Sequence, residues 1–140
     1  MMETNHRSED RVTISLGIES VELRSSDVTD RLGSPPDWEW SIGEARGKTG
    51  KHWECNGWNL ETVVRSEDTN GRPAVELVHI AMQRFEERVR PIAGAVRELG
   101  GSASVTVVIS ILADVTPGIE CGHSFLELLS NLGGTFQIDL

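Results

Sequence analysis

Regular alternation of apolar and polar residues predicts four β-strands along this chain. In the segment "RVTISLGI" the apolar side chains fall at every second position: Val12, Ile14, Leu16 and Ile18. A period of two is typical of a strand with one buried face. A change of phase after this segment indicates a bulge or bend near Glu19 and Ser20. Alternation also predicts strands in "WNLETVV", "ASVTVVISILA" and "TFQIDL". In the last strand we expect three side chains to point inward: Phe136, Ile138 and Leu140.

A second periodicity, with apolar residues at steps of three and four, predicts helices between these strands. It is strongest in "PAVELVHIAMQRFEERVRPIAGAVRELGG", where the stripe comprises Val78, Met82, Phe85, Val89, Ile92, Val96 and Leu99. Pro91 has no backbone N–H and clashes with the preceding turn, so this long helix is predicted to be kinked or split there. Shorter helices are expected in "SSDVTDRLG", capped by Ser25 or Ser26 and ended by Gly33, and in "SFLELLSNLGG" from Ser124.

These elements predict an α+β fold, a mostly antiparallel sheet with a long (kinked or split) helix and two short helices packed on it. The strand around Val108 is apolar on both faces, which is typical of a strand inside a sheet. Residues 11–140 are predicted to form a single α+β domain, since 140 residues is close to the common domain size. Residues 1–10 are polar and mixed in charge, so we expect a disordered tail there.

The excess of acidic over basic residues limits the kinds of molecule that the protein is expected to bind. Thirteen basic and 22 acidic residues give a net charge of −9. An acidic surface repels a phosphate backbone, so we expect no nucleic-acid partner, whereas a basic protein partner is favoured by electrostatic steering. No apolar run reaches the roughly 18 residues of a membrane span. The polar start "MMETNHRSED" also lacks an apolar signal segment, so we expect a cytoplasmic protein with no membrane partner.

The cysteines and histidines offer few candidates for chemistry. The pairs His52–Cys55 and Cys121–His123 supply ligands of the kind that zinc prefers, but neither has the usual Cys-x-x-Cys spacing. We therefore expect no metal, no cofactor and no disulfide in a reducing compartment. The sequence also lacks a Gly-x-Ser-x-Gly nucleophile elbow. No catalytic residue can be assigned, and the chain is predicted not to be an enzyme.

All four tryptophans lie in one segment, "WEWSIGEARGKTGKHWECNGW", and the chain has no tyrosine. Trp58 begins an alternating strand and is predicted to be part of the core. For the other three, two interpretations stay open: a lid over the core, or anchors for a partner, since tryptophan is enriched at interface hot spots. If they are anchors, nearby carboxylates form an acidic rim. The candidate partner-binding residues are Asp37, Trp38, Glu39, Trp40, Glu44 and Trp53.

A series of short motifs runs through the chain in a characteristic order. They comprise Leu32-Gly33, Pro36-Asp37, Gly43, Gly47, Trp58, Leu60, Glu76-Leu77, Pro91, Gly122, Leu132-Gly133 and Ile138-Asp139. In this order and spacing, over residues 11–140, the chain resembles a bacterial family known as domain-of-unknown-function family 4279. The resemblance implies an α+β fold and no transferable catalytic residues. Some relatives look like immunity proteins that protect a bacterium against a toxin.

The function predicted from these observations is a non-enzymatic protein-binding domain, and specifically an immunity protein that neutralises a basic bacterial toxin by occlusion. Acidic side chains would steer the toxin, and tryptophan anchors would then hold it. Two alternatives stay open: a small-ligand sensor or carrier with the tryptophan segment as a pocket wall, and a structural protein that forms homo-oligomers such as a homodimer. An enzyme would be indicated instead by a deep cleft with convergent titratable groups.

Overall fold

The computed structural model describes residues 10–113 and 118–140 of the chain. Of the tail predicted at residues 1–10, only Asp10 is among them, and its carbonyl oxygen accepts a hydrogen bond from the Ser66 N–H. The strands are β1 (Arg11–Ser20), β2 (Trp38–Trp40), β3 (Asn56–Arg65), β4 (Ser104–Leu112) and β5 (Thr135–Asp139). The helices are α1 (Ser25–Leu32), α2 (Ala74–Val89), α3 (Ala93–Glu98) and α4 (His123–Leu132).

The five strands form a single sheet in the order β2-β3-β1-β4-β5. Neighbouring strands are antiparallel, except that β4 and β5 run parallel. At the centre of the sheet, Leu16 of β1 lies opposite both Leu60 of β3 and Val107 of β4. The predicted α+β fold with a mostly antiparallel sheet is therefore confirmed. Strand β4, which was predicted to lie inside a sheet, has a neighbour on each side.

The core lies between one face of this sheet and the helices. Helices α2 and α3, with a short 3-10 helix at Arg90–Ile92 between them, are the predicted long helix, split at Pro91. The whole predicted stripe of this segment is buried, as are the four alternating apolar residues of β1. Trp58 is fully buried, and its indole Nε1 donates a 3.1 Å hydrogen bond to Thr29 Oγ1 of α1. Its predicted place in the core is confirmed.

The other face of the sheet, which we call the uncovered face, carries mainly small and polar side chains in its central strands, and these are only partly buried. In its central strands it presents Thr13, Ser15 and Gly17 of β1 beside Thr106, Val108 and Ser110 of β4. Among the described residues, none of the helices is long and apolar enough to span a membrane.

The start of α1 differs from the prediction, whereas the ends of α1 and β1 agree with it. Neither Ser25 nor Ser26 caps α1; instead the Arg24 backbone N–H donates to the Asp27 carboxylate over 2.9 Å. Gly33 ends the helix with a left-handed φ of 71°, as predicted. Directly after Ser20 the chain bends at residues 21–23, which is one of the two predicted alternatives, a bulge or a bend. The Ser20 hydroxyl oxygen accepts hydrogen bonds from two following backbone N–H groups and thereby stabilises that bend.

The burial of the side chains in and after strand β5 differs most from the prediction. Phe136 is half-buried and packs edge-on against Phe125 of α4, with ring centroids 6.2 Å apart. Ile138 lies on the helix side of the sheet, opposite Ile109, yet it is 45% exposed, and Leu140 is 69% exposed. The prediction that these two side chains point into the core is wrong, because the helix layer does not extend over the end of this outer strand.

Candidate binding surface

Strand β2 places two tryptophans on the uncovered face of the sheet. Its three residues pair with β3 so that Trp38 lies opposite Asn59, Glu39 opposite Trp58 and Trp40 opposite Gly57. Cross-strand partners share a face, and successive side chains alternate between faces. Trp38 and Trp40 therefore lie on the face away from the helices, and Glu39 lies on the same side as the core residue Trp58.

Trp40 lies directly on the backbone of Gly57. A Cβ atom at Gly57 would overlap the Trp40 ring, so only glycine leaves room for the indole here. Trp53 stacks on Trp40 with ring centroids 4.3 Å apart and an angle of 21° between the planes. The Arg46 guanidinium lies over the Trp53 ring, 4.5 Å from its centroid. Stacking of this kind and the cation–π contact each stabilise the cluster by about 1 kcal/mol.

The stacked rings hold the base of an exposed hairpin at residues 43–53. Its two arms are joined by backbone hydrogen bonds from Gly43 N to Trp53 O and from Trp53 N to Glu44 O, at 2.9 and 3.0 Å. Nearer the tip, Arg46 N donates to the Lys51 carbonyl over 2.8 Å. Every residue from 41 to 52 is exposed. The tip also carries both lysines of the chain, at positions 48 and 51.

A buried asparagine fixes the hairpin to the body of the domain. Asn56, at the start of β3, accepts a 3.0 Å hydrogen bond from the Ile42 N–H through its side-chain oxygen. Its side-chain nitrogen donates to the Leu23 carbonyl, also over 3.0 Å. Both ends of this buried amide thus have a partner, and one side chain links the start of the hairpin to the segment between β1 and α1.

Trp38 is the most exposed of the tryptophans, with 61% of its surface accessible. Its indole Nε1 donates a 3.1 Å hydrogen bond to the Glu61 carboxylate, which orients the ring on the uncovered face. Trp40 and Trp53 are half-buried, mainly against each other. We call the side chains of Trp38, Trp40, Trp53 and Arg46 the tryptophan face.

Asp37, directly before β2, makes hydrogen bonds to β3 and an ion pair with α2. Its backbone N–H donates to the Asn59 carbonyl, and its carboxylate accepts a hydrogen bond from the Glu61 N–H, both at 2.8 Å. Arg88 of α2 lies 2.9 Å from this carboxylate and donates to the Glu61 carbonyl over 2.8 Å. Burial acts to raise the pKa of Asp37, but the Arg88 and Glu61 hydrogen bonds and the Arg88 charge outweigh it, so the pKa lies below its ordinary value.

The three carboxylates predicted to form an acidic rim lie in different surroundings. Asp37 is engaged by Arg88, and Glu39 lies on the helix side of β2, away from the two tryptophans beside it. Glu44 is exposed on the hairpin, where its carbonyl pairs with Trp53. Of the predicted site residues, the structure thus brings Trp40 and Trp53 into contact. Trp38 lies on the same face, two residues from Trp40.

The cysteines lie in separate clefts. Cys55 lines a cleft of about 420 Å³ with Glu19 and Ser104, and Cys121 lines one of about 350 Å³ with His79 and Phe125. Burial raises the pKa of both thiols, and at Cys55 the Glu19 carboxylate raises the pKa further. Within residues 10–113 and 118–140, no three histidine, cysteine or acidic side chains come close enough to bind one metal ion.

Sequence reasoning missed four residues that shape this surface: Arg46, Asn56, Gly57 and Glu61. Gly57 carries a local signal, since a glycine next to a strand tryptophan often marks a close approach to the backbone. The other three act through partners that depend on strand register. Their roles become visible only once β2 is placed beside β3.

Comparison with known proteins assigns the chain to a family. The family model described as a domain of unknown function, DUF4279, matches residues 10–140. The match covers nearly the whole chain, so the protein belongs to this family, as its sequence motifs predicted. The comparison with curated proteins gave no match. The comparison with solved structures gave none either.

Proposed function

We propose that this domain is a non-enzymatic protein-binding module that contacts its partner through the tryptophan face and the hairpin beside it. The observation that carries the proposal is the 61% exposure of Trp38 on the uncovered face, next to a hairpin exposed from residue 41 to 52. An exposed indole, already oriented by Glu61, loses little conformational freedom on binding. Tryptophan is also among the residues that most often dominate binding energy.

The specific role we propose is that of an immunity protein, which binds a bacterial toxin and covers the part of it that acts on its target. The net charge of −9 supports a basic toxin, because opposite charge accelerates encounter. In this scheme, charge governs the rate of association and the tryptophan face governs the lifetime of the complex. Because Glu39 lies on the helix side of β2 and the hairpin carries Lys48 and Lys51 beside Glu44, the steering comes from the net charge of the whole chain.

The proposal is tested by co-expressing this protein with each toxin-like protein that the neighbouring genes encode. Co-expression should restore survival, and the purified pair should bind in calorimetry. Replacement of Trp38 by Ala should raise the Kd at least about thirtyfold, the effect of losing a hot spot of about 2 kcal/mol. Leu126→Ala is the matched control, because this leucine is 50% exposed on α4, away from the tryptophan face. Survival that does not depend on this protein would contradict the proposal.

The clefts give less support to the alternative in which the tryptophan segment forms the wall of a small-ligand pocket. Clefts of about 350 to 570 Å³ lie among the described residues, and in four of them none of the tryptophans forms part of the lining. The largest of these four is bounded by Val21, Glu22, Arg24, Ser41, Ile42 and Asn56. Titration of the domain with candidate metabolites, followed by tryptophan fluorescence, distinguishes the alternatives, since a pocket bounded by the tryptophans would change their emission.

A further inference from the structure

Strand β5 presents an open outer edge. It is the last strand of the sheet, and β4 is its neighbour within the described residues. Four of its five residues are exposed, and Phe136 is half-buried. The outward backbone N–H and C=O groups of an edge strand form a template for another strand. These backbone groups therefore favour another β-strand as the partner of this edge.

Most of the devices that usually prevent pairing are not present in β5. Natural edge strands are protected by charged side chains, above all lysine, by proline, by a bulge or by very short length. The sequence "TFQID" contains no lysine, arginine or proline, and its five residues pair with β4 in unbroken register. Beside it, Ile138 and Leu140 expose apolar surface on the helix side of the sheet.

We propose that β5 pairs with β5 of a second copy of this chain, antiparallel and around a two-fold axis, so that two sheets join into one. Homo-oligomers most often have this symmetry, in which the same surface meets itself. The proposal concerns the edge of the sheet opposite the tryptophan face. It is independent of the proposed immunity function and leaves that surface free.

The residue pattern of β5 is compatible with pairing to itself. If all five residues pair, Gln137 lies on the two-fold axis, and Thr135 lies opposite Asp139 of the second copy. The only charged residue of the strand thus meets a neutral one, and the two Asp139 carboxylates lie at opposite ends. On the helix side, Phe136 faces Ile138 of the second copy. The exposed Ile138 is thereby covered by an aromatic ring.

The size of this contact predicts a modest affinity. A pairing of five residues with a few flanking apolar side chains is at or below the low end of stable interfaces, about 1,200 Å² in total. We therefore expect a Kd of roughly 1 to 100 µM. Sedimentation equilibrium over about 1 µM to 1 mM covers the transition from monomer to dimer. A reducing agent excludes disulfides between the free thiols of Cys55 and Cys121.

Charged residues at position 137, on the proposed two-fold axis, test whether β5 is the contact surface and whether its register is the one proposed. Gln137→Lys places two like charges opposite each other, about 5 Å apart between Cα atoms, and should raise the Kd at least about tenfold. Gln137→Glu should have a similar effect for the same reason. An equimolar mixture of the two variants should regain association at least as strong as that of the unmodified protein, because opposite charges then meet at the axis.

The control is Gln83→Lys, which makes the same change on an exposed position of α2 and should leave the Kd unchanged. Circular dichroism and melting temperature verify that each variant is folded. A monomer at every concentration would overturn the proposal. It would also be overturned by association that Gln137→Lys leaves intact, or by failure of the mixture to recover.

Discussion

The two edges of the sheet are both formed by short strands, but only one of them is extended by side-chain hydrogen bonds to the backbone. At the β2 edge, Asp37 and Arg88 bind the backbone N–H and C=O of Glu61, so β3 has hydrogen-bond partners beyond the point where β2 begins. The β5 edge carries no such pair among the described residues. The stretch of β3 at Glu61 is therefore a sealed edge, closed by Asp37 and Arg88, whereas β5 is an open edge that is available to a further strand.

The chemical groups that are exposed to solvent differ between the two edges. At the β2 edge the exposed group is an aromatic side chain, Trp38, whose position is fixed by Glu61. That arrangement suits a partner that offers a complementary surface. At the β5 edge the exposed groups are the backbone and two aliphatic side chains, Ile138 and Leu140. That arrangement suits another strand.

The largest effect is expected from filling the space beneath Trp40. Gly57→Ala forces the indole off the sheet, and with it the stack on Trp53, so we expect a loss of about 3 kcal/mol in the free energy of unfolding. Gly17→Ala is the matched control on the same face, because its nearest neighbour would be the Thr106 carbonyl at 3.8 Å. Chemical denaturation measures both. Equal stability of the two variants would refute the close contact at Gly57.

The second largest loss of stability is expected when the contact between Asp37 and Arg88 at the sealed edge is weakened. Asp37→Asn weakens the contact with Arg88, and we expect a loss of about 1 kcal/mol at neutral pH. The exposed Asp30 of α1, replaced by Asn, serves as the control.

The effect of Asp37→Asn should depend on pH in a definite direction. The folded-state pKa of Asp37 lies below the ordinary 3.8, so its contribution is present above that value and is lost as the pH falls through the folded pKa. The difference between unmodified protein and variant should therefore shrink in acid. Unfolding curves over a pH series measure it, and a difference that grows in acid would contradict the assignment.

A smaller effect is expected where Arg46 covers Trp53. Arg46→Ala removes the cation–π contact and should lower stability by about 0.5 to 1 kcal/mol. Lys48→Ala, at the exposed tip of the same hairpin, should have no measurable effect. Near-ultraviolet circular dichroism reports on the Trp40–Trp53 stack, and its signal should weaken in the first variant alone. Identical spectra for both would show that Arg46 does not support the stack.

The smallest effect on stability is expected at Trp38. Because most of its ring is exposed, Trp38→Ala should change the free energy of unfolding by no more than about 0.5 kcal/mol. The same substitution should remove the fluorescence component that acrylamide quenches most strongly. A large loss of stability would indicate that Trp38 is structural, and the proposed binding role would then lose its basis.

Much of the fold was predictable because it depends on local periodicity. The alternation in β1 and the stripe from Val78 to Leu99 identify buried faces without knowledge of any partner. Pro91 likewise marks the split in the long helix, since its effect on the backbone is local. These features hold wherever the elements are placed in the sheet.

The remaining features depend on contacts between distant parts of the sequence. Alternation identifies a face in β5, but only the strand order shows that β5 is an edge and that Ile138 is left uncovered. Asp37 and Arg88 are 51 residues apart, and their contact follows from the placement of α2 over β3. The sequence therefore identified the tryptophan segment as a candidate surface but not the side chains that shape it.

Hydrogen exchange at the two edges tests the difference between them most directly. The Glu61 amide, which donates to Asp37, should be protected at every protein concentration. In β5, the amides that point away from β4 should exchange rapidly in dilute solution and become protected as the concentration rises into the range of self-association. Rapid exchange at Glu61, or concentration-independent protection of the β5 amides that point away from β4, would contradict the account of one sealed edge and one open edge.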